Sequence, residues 1–184
     1  NGELSDIYSK IRYYSDFIHI DLVDKTFNKN AADIDLSIMK EIDKTWGLKK
    51  MIHIMSKKPS IWVKKLNKNA DIFIFHQDID EPLIEIIRLI KRYNKKVGLC
   101  LEYFQDIESI LKYLPYLDFI QVMGISELGK SGQYFNPESL DKVKKLNHLK
   151  KKYKFEIVFD GGVKPTNINR INAKYIVSSS GVLS

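Results

Sequence analysis

Three short segments carry residue types that can do chemistry together: His19-Ile20-Asp21, His53-Ile54-Met55 and Asp160-Gly161-Gly162. Each stands where an apolar run gives way to polar residues. Two imidazoles and two carboxylates make a nitrogen and oxygen donor set suited to one divalent metal. The two carboxylates are also groups that take and return protons. A chain that gathers these four side chains is equipped for metal-assisted acid/base chemistry. A single histidine on a strand is more often structural, and His148, in a lysine-rich helical stretch, reads that way.

The elements that must position these residues alternate regularly. Apolar, β-branched runs occupy residues 17–24, 50–56, 71–76, 97–101, 119–125, 156–160 and 175–178. Between them apolar residues recur at helical spacing: Ile34, Ile38 and Ile42; Leu83, Ile86, Ile87 and Ile90; Ile107, Ile110, Leu111 and Leu114; Leu140, Val143, Leu146 and Leu149. Pro59, Pro82 and Asp106 stand at helix starts, and Pro137-Glu138-Ser139 opens the basic helix. Near-continuous apolar strands alternating with amphipathic helices predict a parallel sheet covered by helices. Steps of roughly 25–30 residues point to a (β/α)8 TIM barrel, whose active site lies at the carboxyl ends of the strands. His19, Asp21, His53, His76, Met123 and Asp160 all sit late in their strands. The runs supply seven strands, and residues 4–14 read as a helix ahead of the first. The expectation is therefore an α/β barrel lacking its first strand and last helix, one domain over residues 1–184, with a longer polypeptide or a partner chain completing it.

Composition narrows the function. The 184 residues are 44% hydrophobic and 29% charged, ordinary values for a globular protein. No apolar stretch approaches the ~18 residues that span a bilayer, so a membrane partner is not expected. The one cysteine, Cys100, lies in an apolar run and has no internal partner, which fits a reducing cytoplasm. The net charge of +7 is almost all lysine, with Arg12, Arg88, Arg92 and Arg170 the only arginines. The densest lysines, from 142 to 154, follow a helical pattern and read as a solvated face. No aromatic-interleaved basic motif appears, so nucleic acid is not expected. The charge favours an anionic substrate.

The ordered motifs resemble those of the ribulose-phosphate 3-epimerase family. The segment from His19-Ile-Asp21 through Asp24 and Phe27 to Asn30 resembles H-x-D-x-M-D-G-x-F-x-P-N. His53-Ile-Met55 resembles H-L-M, and His76 falls where the family has a histidine after the next strand. Val122-Met123 with Gly129-Lys-Ser-Gly132-Gln133-Tyr-Phe135 resembles V-M-T-x-x-P-G-F-G-G-Q-x-F. Phe159-Asp160-Gly161-Gly162-Val163 resembles V-D-G-G-V.

The resemblance implies epimerisation at C3 of a ketose phosphate, D-ribulose 5-phosphate to D-xylulose 5-phosphate, through a cis-enediolate. It implies His19, Asp21, His53 and Asp160 as ligands of one divalent metal, zinc first, with iron, manganese or cobalt also compatible. Asp21 and Asp160 are the implied proton carriers. Substrate contacts fall to His53, Met55, Met123, Gly129, Gly132, Gln133, Gly161, Gly162, Ser179 and Ser180. Met55 and Met123 read as core or as an apolar lid over the substrate, and Asp24 as a helix-side or a loop-orienting residue. The chain departs from the family at Lys25 for glycine, Lys29 for proline, in the loop 126–132, and at Ser179-Ser180 for a glycine-serine pair. The proton-transfer set is kept while the substrate-holding periphery differs, which suits altered substrate preference. The alternatives are an epimerase of a hexulose or heptulose phosphate, or a non-catalytic sugar-phosphate-binding barrel. A homo-oligomer is the expected assembly if the polypeptide is not longer.

Overall fold

Seven parallel strands follow one another round the sheet in chain order, each paired with the next. The computed structural model describes residues 2–45, 47–126, 133 and 135–178. Helix α1 (Gly2–Ile11) leads into β1 (Phe17–Val23), followed by α2 (Ser37–Thr45), β2 (Lys49–Met55), α3 (Pro59–Leu66) and β3 (Ile72–Phe75). Then come α4 (Leu83–Arg92), β4 (Lys96–Leu101), a 3-10 helix (Ile107–Tyr116), β5 (Phe119–Met123), α5 (Glu138–Leu149), β6 (Glu156–Asp160) and β7 (Tyr175–Val177). This is the TIM-barrel architecture. Among the described residues, β1 and β7 are each hydrogen-bonded to one neighbouring strand only.

Side chains alternate between two apolar layers, as the period of a strand requires. Ile52, Ile54, Phe73, Phe75, Leu99, Leu101, Ile120, Val122, Ile157 and Phe159 face the helices and meet Val63, Ile86, Ile87, Ile90, Ile110, Val143 and Leu146. Met51, Ile72, Ile74, Cys100, Phe119, Met123 and Val158 fill the barrel interior. Each fully buried Ile, Phe or Leu contributes about 1.5–3 kcal/mol. Phe17 packs edge-on against Tyr175 with ring centroids 5.0 Å apart, so β1 and β7 meet through aromatic rings at this end.

Acidic residues tie the amino-terminal strand ends together. Asp71 Oδ2 accepts from the Lys50 N–H at 2.8 Å, and Asp118 Oδ2 accepts from the Val97 N–H at 3.0 Å. This is the barrel face where stability rather than chemistry is built.

Three sequence expectations shift. Ile34 lies outside α2, because Asp35 Oδ1 accepts from the Ser37 N–H and starts the helix there; Met39 and Ile42 then make the buried face, while Ile38 is 44% exposed. The stripe at 107–114 forms a 3-10 helix that buries Ile107, Ile110 and Leu114 and leaves Leu111 exposed, with Pro115 denying its own residue an N–H donor. Lys142 is not on a solvated face. Its ammonium donates to the carbonyls of Glu102, Tyr103 and Gln105, pinning the turn after β4, and burial lowers its pKa.

Candidate active site

Among the described residues, the polar side chains of the barrel interior stand from the middle of the strands to their carboxyl ends. Period-two alternation from Phe17 puts His19 and Asp21 of β1 on the inner face, and the register pairs Asp21 with His53 of β2. On β6, Asp160 follows Val158 on the same face and pairs with Met123 of β5. The strand geometry thus delivers all four sequence-predicted ligands to one place. Their nearest ligand atoms lie within 4.8 Å of one another.

Burial is graded across the set. Asp21 is 58% exposed, Asp160 14%, His19 10% and His53 1%. His53 Nδ1 is 3.0 Å from Asp21 Oδ1, and His19 Nδ1 is 3.6 Å from the same oxygen. Asp160 Oδ2 is 3.9 Å from both His19 Nε2 and His53 Nδ1. Atoms bound to one ion at about 2.0–2.2 Å lie within roughly 4.4 Å of each other. Small side-chain adjustments therefore bring this nitrogen and oxygen set around a divalent metal, and the donors fit it.

The environments pull the two carboxylates apart. Burial pushes Asp160 up to about 6, opposed by the nearby His19 and reinforced by the charge of Asp21. Burial also acts upward on Asp21, but the His53 hydrogen bond and the three neighbouring histidines outweigh it and hold Asp21 below its ordinary value. Burial lowers His53 to about 4, so its ring is neutral at physiological pH.

Gln121 was not anticipated. It is fully buried at the inward position of β5 two residues before Met123. Its Nε2 donates to Asp160 Oδ2 at 2.8 Å and lies 3.1 Å from His53 Nδ1, while its Oε1 lies 3.1 Å from His19 Nε2. The lone pair it satisfies on Asp160 is one a cation would take. The available signal was a lone amide in the apolar strand Phe-Ile-Gln-Val-Met, at a position whose neighbours two residues either side face the interior. Glu102 was missed too. It follows β4 and accepts from His76 Nδ1 at 3.0 Å.

The other expected residues divide. Met55 and Met123 are buried; Met123 belongs to the barrel core and receives the Gln121 amide on its sulfur at 3.5 Å. Asp24 orients the loop: Oδ1 accepts from the N–H groups of Thr26 and Phe27, and Oδ2 from Trp62 Nε1 at 2.7 Å. Gly161 and Gly162 have φ of 105° and 70°. A Cβ on Gly162 would stand 2.3 Å from the Phe135 nitrogen, so this pair is required for close backbone packing. Gln133 is half-buried. Gly129, Gly132, Ser179 and Ser180 lie outside the described residues. His148 is exposed on α5. A cavity of about 570 Å³ opens beside Asp21, walled by Val23, Phe27, Ile34, Met39 and Met55 among others.

Comparison with known proteins agrees with this fold. The sequence profile of the ribulose-phosphate 3 epimerase family matches residues 3–183. The chain belongs to the ribulose-phosphate 3-epimerase family. Members of this isomerase family similar to it include the ribulose-phosphate 3-epimerases of Buchnera aphidicola subsp. Baizongia pistaciae (30% identical over 171 residues, 90% of this chain and 75% of that protein) and Mycoplasma genitalium (30% over 183 residues, 93% and 82%). The Schizosaccharomyces pombe ribulose-phosphate 3-epimerase is 32% identical over 158 residues, 83% of this chain and 67% of that protein. More distant solved structures share the fold. A mutant tryptophan synthase alpha-subunit from Pyrococcus furiosus superposes with a TM-score of 0.67 at 11% identity, covering 98% of this chain and 82% of that one. Phosphoribosyl anthranilate isomerase from Thermococcus kodakaraensis gives 0.60 at 17% identity, covering 96% and 86%. No helix among the described residues is long and apolar enough to cross a membrane.

Proposed function

We propose that this epimerase-family chain inverts C3 of a ketose phosphate, converting D-ribulose 5-phosphate to D-xylulose 5-phosphate. The observation that carries the reading is the pair Asp21 and Asp160, held on different strands in one cluster with their pKa values pushed in opposite directions. Pairs of titratable groups tuned apart are the mark of divided acid and base roles. Asp21, kept ionised, removes the C3 proton on one side. Asp160, the more readily protonated, returns a proton to the opposite side of the enediolate; the roles exchange in the reverse direction. His19, Asp21, His53 and Asp160 would hold one divalent metal, zinc first and iron, manganese or cobalt next. When bound, such an ion supplies Lewis-acid polarisation of the ketone oxygen, worth several kcal/mol.

The remaining residues arrange the substrate. Met55 and Met123 give the apolar wall that excludes water. Gly161 and Gly162, with Gln133, form the phosphate end, where small residues let backbone N–H groups approach the oxygens. The free edges of β1 and β7 pair with a further strand, from the same polypeptide or from a second copy, and the protein works in the cytoplasm.

The test is proton exchange. Zinc-loaded protein in deuterium oxide is expected to replace the C3 hydrogen of D-ribulose 5-phosphate, read by proton NMR, as the xylulose epimer accumulates. Faster exchange into a hexulose or heptulose phosphate would move the substrate assignment. Absence of exchange into all three would show a barrel that binds without catalysing.

A further inference from the structure

We propose that Trp62 is a positioning residue: through Asp24 it fixes the turn after β1 and holds the Phe27 ring over His76 as a wall of the substrate cavity. That the cavity takes substrate rests on the epimerase reading above; the placement of Phe27 does not.

Trp62 lies in the first turn of α3, which Pro59 opens. Side chains on a helix lean toward its amino terminus, and the amino terminus of α3 follows the carboxyl end of β2. Trp62 therefore leans toward the end of the barrel that carries the aspartates and histidines. Its ring is half-buried, and Lys65 Nζ stands 4.8 Å from the ring centroid. Its Nε1 donates to Asp24 Oδ2 at 2.7 Å, a charge-assisted bond from a helix to a turn 38 residues earlier.

Asp24 passes that anchorage on. Its other oxygen, Oδ1, accepts from the Thr26 N–H at 2.9 Å and from the Phe27 N–H at 3.2 Å. One carboxylate thus joins α3 on one side to the backbone of Phe27 on the other. The turn closes on itself through the Asn28 N–H, which donates to the Asp24 carbonyl at 3.0 Å. Thr26 Oγ1 accepts from the Lys57 N–H at 2.9 Å and ties the turn to the loop after β2. The Lys25–Asp33 ion pair farther out is exposed and adds little.

What this turn holds is Phe27. Its ring centroid is 5.1 Å from that of His76, with the planes 52° apart, within the range of attractive aromatic pairs. The same side chain lines the cavity of about 570 Å³ together with Asp21, Val23 and Met55. Phe27 thus touches the buried histidine layer and the cavity at once. A wall of this kind meets substrate and transition state alike, so displacing it weakens binding without slowing the chemical step.

Two readouts test the proposal. In metal-free protein labelled at phenylalanine and histidine, nuclear Overhauser contacts between the Phe27 and His76 rings are expected in the wild type. They should fall several-fold in Trp62→Phe, which keeps an aromatic ring and removes the donor. With D-ribulose 5-phosphate, Trp62→Phe should raise KM about tenfold and leave kcat within about twofold. Phe27→Leu should do the same, and adding Trp62→Phe to it should raise KM no further, because both act through one ring. If Trp62→Phe does not fold, 3-benzothienylalanine at position 62, which has the shape of tryptophan and no N–H, takes its place in both measurements. Unchanged ring contacts overturn the proposal, as do independent, multiplying effects on KM in the double variant. A loss confined to kcat overturns the wall role. If the wild type turns over no ketose phosphate, the epimerase reading fails separately, and the ring contacts still decide whether Trp62 places Phe27.

Discussion

At the amino-terminal end of the strands the barrel interior is built from Phe17, Met51, Phe119 and Tyr175; two residues further along three of these strands it is His19, His53 and Gln121. Both layers occupy inward positions of the same sheet, and both are largely removed from water. The first is held by apolar contact and tolerates exchange of shape. The second survives burial because its polar atoms are partnered in one connected set running from His19 through Gln121, His53 and His76 to Glu102. A buried polar group without a partner costs about 1–3 kcal/mol, so the upper layer is constrained in a way the lower one is not. Chemistry and stability are thereby placed at opposite ends of one interior.

The largest effect should come from the two aspartates proposed to carry protons. Asp21→Asn and Asp160→Asn each keep the size of the side chain but cannot carry a proton. Each is expected to lower kcat about 10²–10⁴-fold while the fold persists. Turnover close to wild type in either variant would remove the division between the layers. In the lower layer, Met51→Ala should cost about 2–5 kcal/mol of unfolding free energy in denaturant titration. KM should hardly move; a large change in KM with little change in stability would contradict the assignment.

Acid should separate the layers next. Asp160 holds its proton below about 6, and metal binding must displace it. Zinc affinity, followed by calorimetry, is expected to fall about tenfold per pH unit from 6 to 4 with one proton released per ion, and more steeply below 4 as His53 also protonates. The metal-free protein behaves differently. Asp160, raised from 3.8 to about 6, makes stability fall as pH rises through that window, because the folded state binds the extra proton. His53, lowered from 6.5 to about 4, makes stability rise with pH between those values. The two offset each other, so the metal-free melting temperature should be nearly flat from pH 4 to 6 where the zinc-loaded one climbs.

The smallest effect should be at Gln121. Gln121→Leu removes the donor to Asp160 Oδ2 and should destabilise metal-free protein by about 1–3 kcal/mol. The loss should shrink when zinc is present, since the ion takes the same lone pair. An equal loss with and without zinc would mean that Gln121 supports the layer in some other way.

The barrel was legible in the chain because strand and helix periods are local properties. Runs of Ile, Val and Phe broken by stripes at three- and four-residue spacing admit few arrangements other than a covered parallel sheet. Asp21, His53 and Asp160 were legible because each lies late in its own strand, and His19 because it shares the inner face of β1 with Asp21; parallel strands of one barrel aim their ends at a common point. Ile34 and the 107–116 segment were misread because apolar spacing carries no information on where a cap such as Asp35 begins a helix. Gln121 and Glu102 were invisible for a different reason. Glutamine in an apolar strand and glutamate at its end acquire meaning only from the atoms opposite them, and those partners lie up to 102 residues away in the chain. Residue type and period therefore determined which side of the sheet gathers the histidines and aspartates. Only the tertiary structure decided which side chains stand against His53 and Asp160, because those contacts are made across the barrel.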